Sequence, residues 1–563
     1  MVGPRSVSGF RERVSGSTFS THEHGSAHQG KVMVFRAAKL ANKAPAAPLR
    51  ANLVANLLGR SWALVANLLF LPIYVKFLGV ESYGLVGVYV SLLAVLSFAG
   101  LGLTATLSRE TARLAGGGHQ PRSLLDTVRT IEVAYVIAVA AVALILLCCA
   151  PLLGRNWFQV TGVSGETVVW ALRLMSLAIA FQFIINLYDG GLLGLQRHVL
   201  MNSMRVSMGL VQSLGAVLLL WLVSPTIETF FIWQVLTTGC YAGCLRHLVW
   251  RNMPHSEVRP RFSRAVLERV WRYSASMVGL SVTAMVITQT DKIVLSRMLP
   301  LEVFGLYAIA WTLARAPLSL TAPVHLAFFP RLTQLATSGQ AADVAPLYHR
   351  ACQLVSVMSL PCLAVLAVFS RESLFVWLAR PIEFDAWGPV LALLAIGTGA
   401  QAISQIPHTL QLAHGWPMLS VWLNTTTAAC SVPLTIMLTW RWGATGAALS
   451  WALMSAVIVS IGTVLVLRRF LKGEARRWIF CDVLAPGLAA VIPVAIARLV
   501  VPADVLAAFS RPLLLLYLLG VWLAASLFAV LAAPELSGLL LAAVRNRWTP
   551  VRRSNRVTGS DPG

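Results

Sequence analysis

The sequence has few charged residues, and acidic residues are especially scarce. Only 12% of its 563 positions are Asp, Glu, Lys or Arg, against roughly 25% in soluble globular proteins. Hydrophobic residues make up 57% of the chain, and the mean hydropathy is +0.72. This lack of polar cover excludes an ordinary soluble domain and indicates that lipid surrounds most of the surface.

Motifs that carry chemistry are also missing. No GxxxxGK[ST] loop is present, which excludes an ATP-driven engine within the chain. No loop carries His, Asp or Glu at metal-ligand spacing, and nearly all eight cysteines lie in apolar runs, where a thiol acts as a small hydrophobe. No predicted external connection is long enough for a folded catalytic domain. We therefore expect no cofactor, no metal and no enzyme.

Basic residues exceed acidic ones, at 45 against 22, and the formal net charge is +23. In a soluble protein this excess would indicate nucleic-acid binding. Here the basic residues fall between apolar segments rather than on one continuous face. They therefore predict membrane topology beside an anionic inner leaflet, and no nucleic-acid partner is expected.

Fourteen apolar segments are each long enough to cross a bilayer core of about 30 Å. The fold class predicted is an all-α polytopic membrane protein of about fourteen transmembrane helices. The predicted segments are 52–76, 83–106, 127–153, 168–192, 204–224, 228–248, 274–299, 304–328, 348–370, 386–410, 417–439, 443–467, 481–501 and 512–533.

The flanking regions and connections predict the orientation. Residues 1–50 are rich in Ser, Gly, His, Lys and Arg, have no apolar signal-peptide core and predict a disordered cytoplasmic arm, with Met1 and Met33 as alternative starts. The predicted inner connections and the tail, 535–563, hold 24 Lys and Arg, whereas the outer connections hold seven. This bias places both termini in the cytoplasm.

An internal repeat divides the predicted helices into two lobes. The pattern Leu-x-x-Glu-x-aromatic-Gly-Leu occurs at 78–85 and again at 299–306, an offset of 221 residues that relates Gly84 to Gly305. Each copy lies at the outer turn after the first helix of a six-helix set, which predicts parallel repeats around a central cavity. The lobes would span 51–248 and 274–470, with two further helices within 479–534.

The basic connection 249–273 joins these lobes. Within it, Phe262, Val266, Leu267, Val270 and Trp271 recur at helical spacing, while arginines occupy other faces. The pattern predicts a short amphipathic helix that lies in the inner membrane interface.

Two arginines are predicted near the middle of the membrane, where an ionisable side chain costs about 2.5–3.5 kcal/mol on insertion scales. Arg60 lies about 12 Å along the first helix, and Arg315 about 16 Å along the eighth, at 1.5 Å per residue. Facing the space between the lobes, they would form a cationic site for a phosphate group. The alternative is that each pairs with a buried carbonyl or acid and only holds the bundle together.

The most polar stretch inside a predicted span runs from Thr288 to Lys292. Asp291 is a candidate for coupling to a proton or a sodium ion, or alternatively a structural partner of an arginine. Successive residues point about 100° apart, so Asp291 and Lys292 need not pair, and we expect Lys292 to reach toward the outer interface. Gln289 and Asp189 are secondary candidates, with Asp189 near an inner helix end where acids are usually solvated or paired.

The motifs together resemble the polysaccharide transporters known as O-antigen flippases. The matching elements are Asn56-Leu-Leu-Gly-Arg60, Leu71-Pro-Ile-Tyr74, Leu101-Gly-Leu-x-x-Thr106, Gly194-Leu-Gln196-Arg197 and Thr290-Asp291-Lys292 followed by Phe304-Gly305-Leu306-Tyr307. The resemblance spans roughly residues 50–470. It implies the multidrug/oligosaccharidyl-lipid/polysaccharide exporter fold, in which two six-helix lobes enclose a V-shaped cavity.

The resemblance also implies an activity. A member would flip an undecaprenyl-diphosphate-linked oligosaccharide across the bacterial cytoplasmic membrane by alternating access, with membrane lipids, a coupling ion, a polymerase and glycosyltransferases as partners. Under this interpretation Arg60 and Arg315 hold the diphosphate, and Asp291 couples a cation. A peptidoglycan-precursor (lipid II) flippase, a drug/cation antiporter of the same fold and, less favoured, an O-antigen polymerase or ligase are the alternatives.

Overall fold

The computed structural model describes residues 49–115, 121–253, 260–338, 341–378 and 384–539, and gives the backbone alone for 49–61, 63–64, 97–101, 114–115, 121–124, 269–284, 341 and 384. These parts of the chain are helices and short connections, with an isolated β-bridge between Gln159 and Pro300. Residues 1–48 of the predicted arm and the tail beyond residue 539 lie outside the described residues.

The helices are labelled in chain order. They are α1 (Leu49–Leu78), α2 (Val80–Ala115), α3 (Pro121–Asn156), α4 (Gly165–Gly194), α5 (His198–Leu222), α6 (Ile227–Arg251), α7 (Arg264–Met298), α8 (Leu301–Thr337), α9 (Ala341–Val368), α10 (Ser370–Leu378), α11 (Phe384–Ala413), α12 (Pro417–Phe470), α13 (Ala475–Val500), α14 (Ala503–Ala507) and α15 (Arg511–Leu531).

Each of the fourteen predicted segments lies on one of these helices, and the predicted all-α membrane fold is confirmed. Within the described ranges, nine helices are long and apolar enough to cross a membrane by length and composition. One of the nine, α12, carries two predicted segments, because the chain kinks at Trp442 and Gly443, where Gly443 has a φ of 57°. The number of fourteen crossings stays a prediction.

The lobe-joining connection differs from its predicted form. The expected short interfacial helix is continuous with α7, which runs unbroken from Arg264 to Met298 because no proline interrupts it. Just before α7 the chain is tied to α3, where Asp126 Oδ1 accepts from the Arg261 backbone N at 2.6 Å and Thr130 Oγ1 accepts from the Ser263 backbone N at 3.0 Å.

The first twelve predicted segments pack as two groups with the same internal order. In α1–α6, which we call the N-lobe, α1 packs on α5, while α2, α3 and α6 pack on α4. In α7–α12, the C-lobe, α7 packs on α12, while α8, α9 and α12 pack on α11. The matching order supports the predicted repeat.

The turn after the fourth helix of each lobe gives a second correspondence. Three backbone hydrogen bonds close the α4–α5 turn, reaching back four, three and five residues, and the same three close the α11–α12 turn. The central residues are Gln196, with a φ of 58°, and Gly415, with a φ of 67°. Their separation of 219 residues is close to the 221-residue sequence offset.

The lobes meet where the repeat motifs lie, at Gly84 on α2 and Gly305 on α8. We call this the outer end of the molecule, after the charge-based prediction, and the opposite end the inner end. A Cβ built on Gly305 would lie 2.5 Å from the Val80 carbonyl oxygen and 3.1 Å from the Gly84 nitrogen. A Cβ on Gly84 would lie 2.5 Å from the Leu301 carbonyl oxygen. The two repeat-related glycines therefore allow backbone-to-backbone contact between the lobes.

Polar contacts reinforce this junction. Arg297 Nη1 donates to the carbonyl oxygens of Asn156 and Trp157 at 3.0 and 3.2 Å, and the Leu301 backbone N donates to the Gln159 carbonyl oxygen at 2.8 Å. Trp157 Nε1 donates to Ser296 Oγ at 3.1 Å. The α3–α4 connection of the N-lobe is thus bonded to the α7–α8 connection of the C-lobe.

Helices α13 and α15 attach to the C-lobe through α9. His349 on α9 is fully buried, with Nδ1 bonded to Asp482 and Nε2 3.1 Å from Glu474 Oε2. Gln353 Nε2 donates to Asp482 Oδ1 at 2.9 Å. Asp482 lies in a π-helical stretch, Trp478–Leu484, so the wider helical turn brings a carboxylate to α9 without a break in α13.

The glycine contact makes a stability prediction. Gly305→Ala should lower the midpoint of thermal unfolding in detergent, because the new methyl group meets backbone atoms and overpacking typically costs about 1–3 kcal/mol. Gly243→Ala is the matched control, since a Cβ there has no neighbour within 4 Å. That control should be neutral or stabilising, by up to about 1 kcal/mol, because alanine favours the helix. Equal midpoints for the two variants would show that the lobes do not touch at Gly305.

Candidate functional site

A buried ion pair occupies the C-lobe side of the lobe junction. Asp291 and Lys292 on α7 retain only 4% and 8% of their accessible surface. Lys292 Nζ donates to Asp291 Oδ1 and Oδ2 at 3.0 and 3.1 Å, and to the Thr288 carbonyl oxygen at 3.1 Å. The expectation that Lys292 extends to the outer interface is wrong, because its flexible stem folds back by one helical turn.

Two aromatic residues of α8 complete the surroundings of this pair. Tyr307 donates its hydroxyl to Asp291 Oδ2 at 2.7 Å. The Trp311 ring lies under the Lys292 ammonium, with Nζ 3.7 Å from the ring centroid, a distance at which a desolvated cation–π contact contributes about 2 kcal/mol. Trp451 on α12 packs its ring against Trp311, with centroids 4.7 Å apart and planes at 74°.

Arg315 continues the same face of α8. Its Cζ lies 6.0 Å from the Trp311 ring centroid, and the residue is exposed although it lies within an apolar span. Within the described part of the chain, no carboxylate forms an ion pair with it, and Asp291 is committed to Lys292 and Tyr307. Arg315 therefore presents an accessible cation beside a neutralised buried pair. We call Asp291, Lys292, Tyr307, Trp311 and Arg315 the charge cluster.

Hydroxyl groups border the other side of Asp291. A small cavity, about 10 Å³ and so suited to one water-sized occupant, lies between α7 and both arms of α12. Asp291 shares its lining with Thr290, Ser431, Thr435 and Ser450, and the hydroxyls of Thr435 and Ser450 are 2.7 Å apart. Oxygen donors of this kind suit a proton or a hard cation.

The other sequence-predicted candidates lie apart from the cluster or outside the described side chains. Asp189, near the inner end of α4, accepts from Arg205 Nη2 at 2.6 Å, so it is paired within the N-lobe. Gln289 is buried, and its Oε1 has no hydrogen-bond partner among the described residues. Arg60 belongs to α1, but its side chain lies outside the described residues, so its place opposite Arg315 stays a prediction.

Sequence reasoning missed Tyr307 and Trp311, although a signal was present. Tyr307, Trp311 and Arg315 follow one another at intervals of four residues. This spacing places all three on one face of a helix. Neither ring carries a formal charge, so a search for ionisable residues in the apolar segments does not detect Tyr307 or Trp311.

Comparisons with known proteins agree with this architecture. Residues 49–336, just over half of the chain, match the family described as polysaccharide biosynthesis protein. A Shigella flexneri protein named "Putative O-antigen transporter" is 19% identical over 408 residues, which cover 71% of this chain and 94% of that protein.

Two solved structures share the fold. The lipid II flippase MurJ, in an inward closed conformation, aligns with a TM-score of 0.63 at 12% identity, covering 87% of this chain and 99% of that one. An inward-facing multidrug resistance MATE family transporter of the MOP superfamily aligns with a TM-score of 0.60 at 14% identity, covering 73% and 94%.

These matches confirm the resemblance recognised in the sequence. The fold is that of multi-pass membrane transporters and not of an enzyme. From its family match over more than half of its length, the chain belongs to the polysaccharide biosynthesis protein family.

Proposed function

We propose that this protein flips an undecaprenyl-diphosphate-linked oligosaccharide, the repeat unit of an O-antigen, capsule or exopolysaccharide, across the bacterial cytoplasmic membrane. The observation that carries the proposal is Arg315, an exposed residue inside an apolar span, whose neighbouring acid Asp291 is already paired with Lys292. Family membership and the named O-antigen transporter support the substrate class.

Arginine suits the diphosphate for geometric and energetic reasons. Its planar fork donates two parallel hydrogen bonds to phosphate oxygens, and its charge persists at any physiological pH. A cationic drug would be repelled by the same group, so the site disfavours the multidrug substrates of the related fold. Arg60, on a helix of the opposite lobe, is the proposed second contact to the diphosphate.

The outer junction supports transport by alternating access. Contacts at Gly84, Gly305 and Arg297 hold the lobes together at the outer end, and we take this as the state that receives substrate from the inner leaflet. Release outward requires these contacts to break while the inner ends of the lobes approach each other. Both termini would remain in the cytoplasm throughout.

Asp291 is the proposed coupling group. While ionised it holds Lys292 through two hydrogen bonds. A proton on Asp291, or a sodium ion among the neighbouring hydroxyls, would neutralise the carboxylate and release the Lys292 ammonium as a second cation close to Arg315. Ion binding would then strengthen diphosphate binding. Glycosyltransferases that build the lipid-linked saccharide and a polymerase that consumes it are the proposed functional partners.

Substitution of Arg315 tests the substrate site. Export of surface polysaccharide should rank wild type, Arg315→Lys and then Arg315→Ala, at equal protein levels. Lysine keeps a point charge without the fork, and the alanine variant should lose at least about tenfold, the value of one charge-assisted hydrogen bond. Arg331→Ala is the matched control, because Arg331 is an exposed arginine of the same helix that donates to Gln334 Oε1 at 2.6 Å. Full export by Arg315→Ala would remove this residue from the site.

Substitution of Asp291 tests the coupling. Asp291→Asn keeps the shape of the side chain and removes its charge, so flipping in proteoliposomes should lose its dependence on an imposed proton or sodium gradient. Asp385→Asn serves as the control, since Asp385 is exposed and pairs with Arg371 at 2.6 Å on the surface. If the Asp291→Asn protein still responds to a gradient as wild type does, Asp291 is only a structural partner of Lys292.

A further inference from the structure

A second, larger cavity lies inside the C-lobe, bordering the charge cluster. It has a volume of about 240 Å³, is lined by α7, α11 and both arms of α12, and is open on one side. Thr288 lines this cavity, and the Thr288 carbonyl oxygen accepts from Lys292 Nζ. The cavity and the charge cluster therefore share one turn of α7.

Among the described residues, the lining of this cavity combines apolar side chains with polar groups that carry no formal charge. Gln401, His408, Asn424 and Thr463 contribute amides, an imidazole and a hydroxyl, and no Asp, Glu, Lys or Arg takes part. Apolar side chains, among them Leu423, form the remainder of the wall. A sugar ring carries hydroxyl groups at its edge and C–H groups on its faces. The neutral donors and acceptors of this cavity could bond to those hydroxyl groups, and the apolar wall could contact the C–H faces.

Several of these polar groups lack partners of their own. Thr463 retains only 2% of its accessible surface, and its Oγ1 has no hydrogen-bond partner among the residues that the structure describes. In the described part of the chain, the side-chain amides of Gln401 and Asn424 also have none. Gln411, by contrast, is committed to the α11–α12 turn through the Trp416 carbonyl oxygen and Ser420 Oγ, each at 2.8 Å. Because an unmet buried polar group costs about 1–3 kcal/mol, Thr463 favours an occupant that can bond to its hydroxyl, and the half-buried amides of Gln401 and Asn424 are available to the same occupant.

The size of the cavity limits that occupant. An apolar cavity of about 150 Å³ holds a benzene ring, so a cavity of this size accommodates one pyranose ring with its hydroxyl groups. The cavity would hold one ring of an oligosaccharide, and the remaining sugars would lie outside it.

We propose that this cavity binds the first sugar of the lipid-linked saccharide, the neutral ring attached directly to the diphosphate. This inference rests on the proposed function, which places the diphosphate at Arg315. Because Thr288 lines the cavity and also contacts Lys292, the substrate would be oriented with its diphosphate beside the charge cluster and its first sugar in the cavity. Amide side chains of the cavity would select among sugars by their hydroxyl and acetamido substituents.

The test compares two probes on the full-length protein in lipid nanodiscs. The first probe is farnesyl diphosphate, which carries the charge without a sugar. The second is a panel of farnesyl diphosphates, each with one hexose or N-acetylhexosamine on its terminal phosphate. By isothermal titration calorimetry, at least one sugar-bearing probe should bind wild type at least tenfold more tightly than farnesyl diphosphate. No sugar preference across the panel would overturn the proposal.

Variants of the cavity then assign that preference. Asn424→Leu and Gln401→Leu should bring the ratio of the two dissociation constants close to one, while the constant for farnesyl diphosphate changes less than twofold. This retained affinity also shows that the variants are folded. Thr426→Val is the matched control, because Thr426 is exposed on the same helix and bonds to its own backbone at Trp422, 2.9 Å away. A preference that persists in both leucine variants would overturn the cavity assignment.

A separate arm distinguishes failure of the cavity from failure of the proposed function. Arg315→Ala should weaken both probes equally and leave their ratio unchanged. If neither probe binds wild type, the proposed diphosphate site is wrong. The cavity is then tested separately by the rate of thiol labelling of Ser404→Cys, a position in its lining, measured by mass spectrometry. Protection by a panel of methyl glycosides, lost when Asn424→Leu is added, would support a sugar site. No protection by any glycoside would overturn it.

Discussion

The close approach of Gly84 and Gly305 is the constraint on which the rest of the arrangement depends. Two helices, one from each lobe, come together backbone to backbone because neither residue has a Cβ, and the same crossing brings α7 and the first turns of α8 to the lobe junction. A side chain of any size at residue 84 or 305 would meet the backbone of the other lobe and push the lobes apart. Tyr307, Trp311 and Arg315 follow Gly305 along α8 within about three helical turns, and Asp291 and Lys292 lie beside them on α7. The position of the charge cluster at the lobe junction therefore depends on glycine at both crossing positions.

Charge inside the membrane then limits which side chains can bind a ligand. Each buried ion pays a desolvation penalty of several kcal/mol unless partners replace its water. Lys292 has three donors, and Asp291, the Thr288 carbonyl oxygen and the face of Trp311 satisfy it. Arg315 has no such set in the described structure and stays accessible. Asp291 and Lys292 therefore form a structural ion pair, which a bound ion could perturb, whereas Arg315 is available to an anionic ligand.

The polar groups of the C-lobe change in character along α7. Hydroxyls surround Asp291, the charge cluster follows on the α8 side, and uncharged amides line the cavity beyond Thr288. A substrate that combines a diphosphate with a neutral sugar has the same sequence of charged and uncharged groups. At the far side of the C-lobe, the buried contact of His349 with Asp482 attaches α13 and α15 to α9, away from this polar path.

Local composition and a pattern along the chain were enough to predict the membrane fold, the positions of the fourteen apolar segments and the repeat that relates Gly84 to Gly305. The sequence also indicated Asp291 and Arg315 as candidate site residues, since an ionisable residue is conspicuous among apolar neighbours. Only the tertiary structure decided that Lys292 folds back onto Asp291, that Tyr307 and Trp311 complete the cluster, and that Asp189 belongs to a separate pair with Arg205. Those outcomes depend on which side chains from distant helices arrive within about 4 Å of a charge, and helix packing sets that distance while spacing along one helix does not.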